Sequence, residues 1–136
     1  MGKIDHIGIA VNSLATSVPL YAAILGKNPG GREQVPSEGV EVAFFGDGPG
    51  RIELLEPTGP SSPVARFLDR HGPGIHHVCV AVPDLRAALS RLAERGVFPL
   101  PPGLRQGAEG RTVAFLHPRD TGGTLLELTE ASETDA

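Results

Sequence analysis

His6-Ile-Gly-Ile-Ala-Val11 returns in the second half of the chain as His77-Val-Cys-Val-Ala-Val82. Each copy sets a histidine at the head of an apolar run, and the alternation reads as a β-strand. In the first copy Ile7, Ile9 and Val11 share one face, while His6 shares the other with Gly8 and Ala10. The second copy divides the same way, with Val78, Val80 and Val82 set against His77, Cys79 and Ala81. Branched aliphatics suit a face packed under a helix. Small residues beside each histidine suit the wall of an open cavity.

Outward from these strands the two halves stay in step. Asn12-Ser13 is a helix-start signal, followed by a helical stretch Leu14–Leu25 and a closing Gly26. In the second half Pro83-Asp84 starts a helix that runs to Arg95 and closes on Gly96. Three strand-like stretches follow each helix: residues 30–35, 40–45 and 51–56, then 97–100, 111–117 and 124–129. The last of each set contains one glutamate in an apolar setting, Glu53 or Glu127, at nearly equal distance from its histidine. The order β-α-β-β-β therefore occurs twice. The expected fold is α+β: one domain of two tandem modules, residues 1–57 and 74–130, whose mixed sheet curves round a cleft. Residues 58–73 join the modules, with a short helix expected over 61–70. The acidic segment from Glu130, including the tail 131–136, is expected to fray.

Composition narrows the functional classes. The 136 residues suit one domain, and the net charge of -4 argues against nucleic acid as a partner. No apolar run is long enough for a transmembrane helix, and residues 1–6 lack the apolar core of a signal peptide. The single Cys79 excludes an intramolecular disulfide and a cysteine-based zinc cluster. A cytoplasmic protein is expected. The 18 Gly and 13 Pro are interspersed with apolar strands, which indicates a folded, loop-rich domain.

A lone histidine on a strand is ordinarily a satisfied core or edge residue. An isolated glutamate on an apolar strand ordinarily faces solvent, because burying an unpaired carboxylate costs several kcal/mol. Neither reading explains recurrence in both halves. His6, Glu53, His77 and Glu127 are therefore expected to form a metal site at the centre of the cleft. Two imidazoles and two carboxylates suit a divalent transition ion. The site would be formally neutral, with two octahedral positions open to substrate. His76 and Asp5 precede the two histidines with the opposite strand parity, so each is expected to face a helix or to support a ligand rather than coordinate. His71 is expected on the surface, and His117 either against substrate or in a turn. Residues 46–50 lack the Lys-Ser/Thr of a phosphate loop and read as a hairpin turn.

Several segments together resemble the vicinal oxygen chelate (glyoxalase-like) superfamily, and within it the methylmalonyl-CoA epimerase family. They are Ile4-Asp-His-Ile-Gly-Ile-Ala-Val11, Ile52-Glu-Leu-Leu-Glu-Pro57, Gly74-Ile-His-His-Val78, Phe115-Leu-His-Pro118 and Leu126-Glu-Leu128. Gly107-Ala-Glu-Gly110 and Ser62-Pro-Val-Ala-Arg-Phe-Leu68 add to the likeness, which covers nearly the whole chain. By this resemblance His6, His77 and Glu127 match the family's metal ligands, and Glu53 stands where some members have Gln and others Glu. The resemblance implies interconversion of (2R)- and (2S)-methylmalonyl-CoA, commonly with Co2+, while Mn2+, Zn2+ or Ni2+ also suit the ligand types. It also implies a homodimer.

Such an epimerisation removes the proton between a thioester carbonyl and a carboxylate, then reprotonates the planar enolate on its other face. That requires an acid/base group on each side. Glu127 is expected to be one. Some epimerases carry a glutamate three residues after the glycine matching Gly39, where this chain has Val42. Glu41, beside it, is the expected second base if a bulge re-aims it; Glu53 and a metal-bound water are the alternatives. Arg105, Arg111, Arg119 and Lys27 are possible contacts for the anionic CoA. Rival readings are a glyoxalase-type isomerase or lyase acting on a thiol adduct, a ferrous dioxygenase, and a non-enzymatic small-molecule-binding protein of the same fold.

Overall fold

The computed structural model describes residues 2–132, so residues 133–136 of the expected tail lie outside the described residues. Module 1 contains β1 (Lys3–Ala10), α1 (Leu14–Leu25), β2 (Gly31–Val35), β3 (Val40–Phe45) and β4 (Arg51–Pro57). The linker forms α2 (Pro63–His71). Module 2 contains β5 (Gly74–Val82), α3 (Leu85–Glu94), β6 (Arg105–Gln106), a 3-10 turn at Ala108–Gly110, β7 (Thr112–Leu116), α4 (Pro118–Thr121) and β8 (Leu126–Glu130). All eight strands join one mixed sheet in the order β2-β3-β4-β1-β5-β8-β7-β6. The order is symmetric about its centre. There β1 and β5 pair antiparallel, and each has the last strand of its own module parallel on its outer side.

The outermost strands come together because the sheet curls. Ser37 Oγ donates to the Gln106 carbonyl at 2.8 Å, Arg105 pairs with Glu38 at 3.0 Å, and the Glu109 N–H donates to Glu33 at 2.9 Å. These bonds tie β2 and the β2–β3 turn to β6 and the 3-10 turn after it, leaving a cleft inside the curl.

Strand alternation sorts the side chains as the sequence indicates. On the convex face Val11, Leu14, Val18, Ala43, Phe45 and Leu54 pack together under α1. Val82, Leu85, Ala88, Leu116 and Leu128 do the same under α3. The linker helix α2 instead covers the concave face of module 1, where Val64 packs with Ala10, Val35, Val40, Val42 and Leu55. Burial of branched aliphatics on both faces holds the sheet between its helices, each such side chain contributing roughly 1.5–3 kcal/mol.

Both module helices have the expected N-caps, Ser13 accepting from the Thr16 N–H and Asp84 from the Ala87 N–H. Gly26 and Gly96 close them in left-handed conformation, with φ of 66° and 78°. A further duplicated device was not foreseen. Glu56 Oε1 accepts from the Leu14 N–H at 2.6 Å, and Glu130 Oε1 accepts from the Leu85 N–H at 3.0 Å. Each lies three residues after Glu53 or Glu127, on the opposite strand face, and satisfies an otherwise orphaned donor in the first turn. Glu130 is thus a paired strand residue, against the expectation that fraying begins there.

One expected strand is absent. Residues 97–100 form no strand; Leu100 makes a single ladder-like bond to the Phe115 carbonyl at 2.8 Å. Pro99, Pro101 and Pro102 remove the donors that continued pairing would need. Pairing along β7 resumes only at Arg105–Gln106.

The paired caps yield a stability prediction. Glu56→Ala and Glu130→Ala should each lower unfolding stability by about 1–2 kcal/mol in denaturant titration; unchanged midpoints would show that the two bonds add nothing.

Candidate active site

The site is made where the central strands cross-match. Gly8 pairs with His77, and Cys79 pairs with His6, across the β1/β5 ladder. Each histidine therefore lies over the small residue two positions beyond its counterpart. A Cβ at Gly8 would stand 2.2 Å from Cε1 of His77, so only glycine leaves that ring its place. The buried Cys79 lies behind His6, and burial pushes its thiol up to about 12.

Two matching bulges orient the rings. The register skips Asp5 on β1 and His76 on β5. Both extra residues therefore escape simple alternation and turn toward the ligand histidines. Asp5 Oδ2 lies 2.8 Å from Nδ1 of His6, and Nδ1 of His76 lies 3.0 Å from Nδ1 of His77. Of the two roles left open for this pair, the geometry selects support of the histidines. Asp5 is itself held by Arg111, 2.9 Å from both its oxygens, and by Arg51 at 3.3 Å. Burial opposes its charge, but His6 and the two guanidiniums hold its carboxyl below the usual range.

With Nδ1 occupied, the Nε2 atoms face inward. Nε2 of His6 and Nε2 of His77 are 3.2 Å apart, and Glu127 Oε1 is 3.1 Å from each. The three buried donors form a nearly equilateral triangle. Glu127 Oε1 is buried and makes no hydrogen bond of acceptable geometry. Burial opposes charge on Glu127, yet His6 and His77 hold its carboxyl well below the usual range. Burial likewise opposes charge on His6, but Asp5, followed by Cys79, Glu127 and Glu53, pushes its imidazolium up to about 12. This donor set suits a divalent cation, which would compete with that proton. A cation with bonds of about 2.1 Å has cis ligands about 3.0 Å apart in an octahedron and about 3.4 Å apart in a tetrahedron. The observed edges of 3.1–3.2 Å fall within that range, so one cation can reach all three atoms.

The other expected site residues are placed differently. Glu53 is buried, but its Oε2 lies 3.2 Å from Nδ1 of His6 and 3.2 Å from Arg51 Nε, so it backs His6 rather than joining the triangle. Glu41 is outside the cleft: the β2–β3–β4 ladders run without a register shift, so no bulge re-aims it. It shares the convex face with Ala43 and Phe45 and pairs with Arg32 at 3.3 Å. Val42, on the cleft side, is buried in the apolar wall. His117 caps α4, accepting from the Arg119 N–H at 3.0 Å, and His71 is exposed. Arg105 and Arg111 are engaged by Glu38 and Asp5, whereas Lys27 and Arg119 are exposed.

The cavity beside the triangle measures about 50 Å³, with Val35, Val40, Val42, Leu55 and Val64 as its apolar side. Arg51, Arg111 and one unanticipated carboxylate, Glu38, also line it. Glu38 sits in the β2–β3 turn, where strand parity gives no guidance, so only the local Pro-Ser-Glu-Gly turn composition marked the place.

Residues 5–115 match the family model of the Glyoxalase/Bleomycin resistance protein/Dioxygenase superfamily. The chain is 38% identical over 132 residues to the mitochondrial methylmalonyl-CoA epimerase of Homo sapiens, covering 96% of this chain and 75% of the relative. It is 42% identical over 130 residues to the ethylmalonyl-CoA/methylmalonyl-CoA epimerase of Cereibacter sphaeroides, covering 94% and 97%. Among solved structures, a variant of Streptomyces coelicolor methylmalonyl-CoA epimerase in complex with 2-nitronate-propionyl-CoA superposes with a TM-score of 0.89. That match has 34% identity and covers 98% of this chain and 97% of the other. The chain belongs to the Glyoxalase/Bleomycin resistance protein/Dioxygenase superfamily and, within it, to the family of methylmalonyl-CoA epimerases.

Proposed function

We propose that this chain interconverts (2R)- and (2S)-methylmalonyl-CoA, with a divalent cation held by His6, His77 and Glu127. The observation that carries the reading is the orphaned Glu127 Oε1 set 3.1 Å from two inward Nε2 atoms. A bound cation would act as a Lewis acid for charge developing on the substrate's thioester oxygen. Two imidazoles and a carboxylate suit a divalent transition ion, Co2+ as the family resemblance suggests, with Mn2+, Zn2+ or Ni2+ also fitting the ligand types.

The chain's own groups supply the rest. Glu127 Oε2 lies toward Gly107, 3.6 Å from where a Cβ there would stand, and would take the C2 proton. Arg51 and Arg111 are engaged by Asp5 and Glu53, which fixes the groups that support His6. The valine and leucine wall receives the C2 methyl group and keeps water from the carbanionic carbon. A cavity of about 50 Å³ admits a small acyl head, so the nucleotide end of CoA would lie outside, within reach of exposed cations such as Lys27 or Arg119. The homodimer reading is supported by Leu20 and Ile24, 56% and 64% exposed on one face of α1. No helix among the described residues is long and apolar enough to cross a membrane, and the unpaired thiol of Cys79 suits a reducing compartment such as the cytoplasm.

Chelator-stripped protein, incubated with racemic methylmalonyl-CoA in deuterated water, should incorporate deuterium at C2 only after a divalent cation is restored. Glu127→Gln, which removes a cation ligand as well as a base, should abolish that incorporation; metal-independent exchange by the wild type would refute the reading. Gly8→Ala should keep the fold, because the His77 ring can swing aside, but should weaken cation binding about tenfold or more by calorimetry. Unchanged affinity would remove His77 from the ligand set.

A further inference from the structure

Epimerisation through a planar enolate requires a second proton-carrying group on the face away from Glu127. Glu41 does not supply it, since it lies on the other side of the sheet. Among the described residues lining the cleft, most polar groups are already committed. His76 is set against Nδ1 of His77, Glu53 lies behind His6 with Oε2 held by Arg51 and by Nδ1 of that ring, on the side away from the Nε2 triangle, and Thr129 Oγ1 is set against the Thr112 carbonyl. Cys79 lies behind His6 with no exposed surface, and the guanidinium groups of Arg51 and Arg111 are donors only, paired with carboxylates.

Glu38 is different. Its backbone is fixed by a tight turn: the Glu38 N–H donates to the Val35 carbonyl at 3.1 Å and the Gly39 N–H to the Pro36 carbonyl at 3.2 Å. Gly39 has φ of 63°, and a Cβ there would meet Ser62 at 3.0 Å, so glycine is required at the turn. Ser62 Oγ donates to the Glu38 carbonyl at 3.2 Å. The side chain projects into the cavity with only Oε1 engaged, by Arg105 at 3.0 Å. Arg105 is in turn anchored by the Pro101 carbonyl at 2.8 Å and lies 5.1 Å over the Phe115 ring. Glu38 feels the charges of Glu127 and His77 through space, yet bonds to neither. Module 1 thus presents one carboxyl group to the cavity from its turn, and module 2 presents Glu127 from β8.

We propose that Glu38 is the second acid/base of the epimerisation, acting on the face of C2 opposite Glu127. The inference rests on the epimerase reading above. For one epimer the Glu127 carboxylate takes the C2 proton, and the C–H electron pair moves into the enolate, with charge on the thioester oxygen. The Glu38 carboxyl group then gives its proton to C2 from the other side, the pair returns to form the new C–H bond, and Glu38 is left as carboxylate. For the other epimer the roles reverse. Burial raises the Glu38 carboxyl above its usual range against the pull of Arg105, which helps it hold a proton between turnovers. The valine at position 42 then becomes intelligible. The acid/base group enters from the turn, leaving β3 free to complete the apolar wall.

The test treats each C2 epimer separately in deuterated water, using the cation-loaded wild type, Glu38→Gln and Glu38→Asp, with melting curves on all three. The wild type should exchange and interconvert both. Glu38→Gln, near-isosteric and still able to accept from Arg105, should lose interconversion about a hundredfold or more. It should still wash deuterium into one epimer, because Glu127 can remove and return that proton on the same face. Glu38→Asp, which keeps a carboxyl group, should interconvert faster than the Gln variant. Interconversion by Glu38→Gln within threefold of wild type would overturn the proposal. So would equal loss of exchange from both epimers, or an Asp variant no better than Gln. A wild type that exchanges neither epimer would instead overturn the epimerase reading, and the Glu38 role with it.

Discussion

The antiparallel pairing of β1 with β5 is the constraint on which the molecule depends. Its register places Gly8 under His77 and Cys79 under His6, so each module supplies the seat for the other's ligand. Two histidines far apart in sequence thereby bring their Nε2 atoms to 3.2 Å. The flanking parallel strands β4 and β8 deliver Glu53 and Glu127 beside them. Slipping one of these strands by one residue would turn its histidine toward the helices and bring a branched aliphatic, Ile7 on β1 or Val78 on β5, to face the cleft.

Polar bonding in the cleft is lopsided in a way that marks function. Behind the histidines, the groups are mutually satisfied: Asp5 by His6, Arg111 and Arg51, and Glu53 by Arg51. In front of them, Glu127 Oε1 is buried with no hydrogen bond. Its charge is balanced by the two imidazoles 3.1 Å away, a role that a divalent cation would take over. Rigid anchoring on one side and an incomplete shell on the other are what a site built to bind and polarise a substrate requires.

Duplication made much of this legible in the sequence. The repeated strand, the closing Gly26 and Gly96, and the matching Glu53 and Glu127 give the two modules, while alternation separates the helix face of each strand from the cleft face. What alternation misses are the places where it is broken. The bulges at Asp5 and His76 reverse the facing of two residues, and the prolines after α3 displace the edge strand from residues 97–100 to Arg105–Gln106. Glu41 illustrates the opposite error, since its strand has no bulge and simple parity correctly keeps it out of the cleft. Glu38 lies in a turn, where side-chain direction follows from tertiary contacts with Ser62 and Arg105 rather than from period. The capping glutamates Glu56 and Glu130 were visible as a repeated Glu-x-x-Glu, but their partners appear only once strand ends and helix starts are brought together.

Cobalt(II) titration of the chelator-stripped protein, followed by visible absorption, tests the central claim most directly. If His6, His77 and Glu127 form one open six-coordinate site, the protein binds one ion per chain with weak absorption, and methylmalonyl-CoA then changes the spectrum. Failure to bind cobalt stoichiometrically, or a spectrum indifferent to substrate, would contradict it.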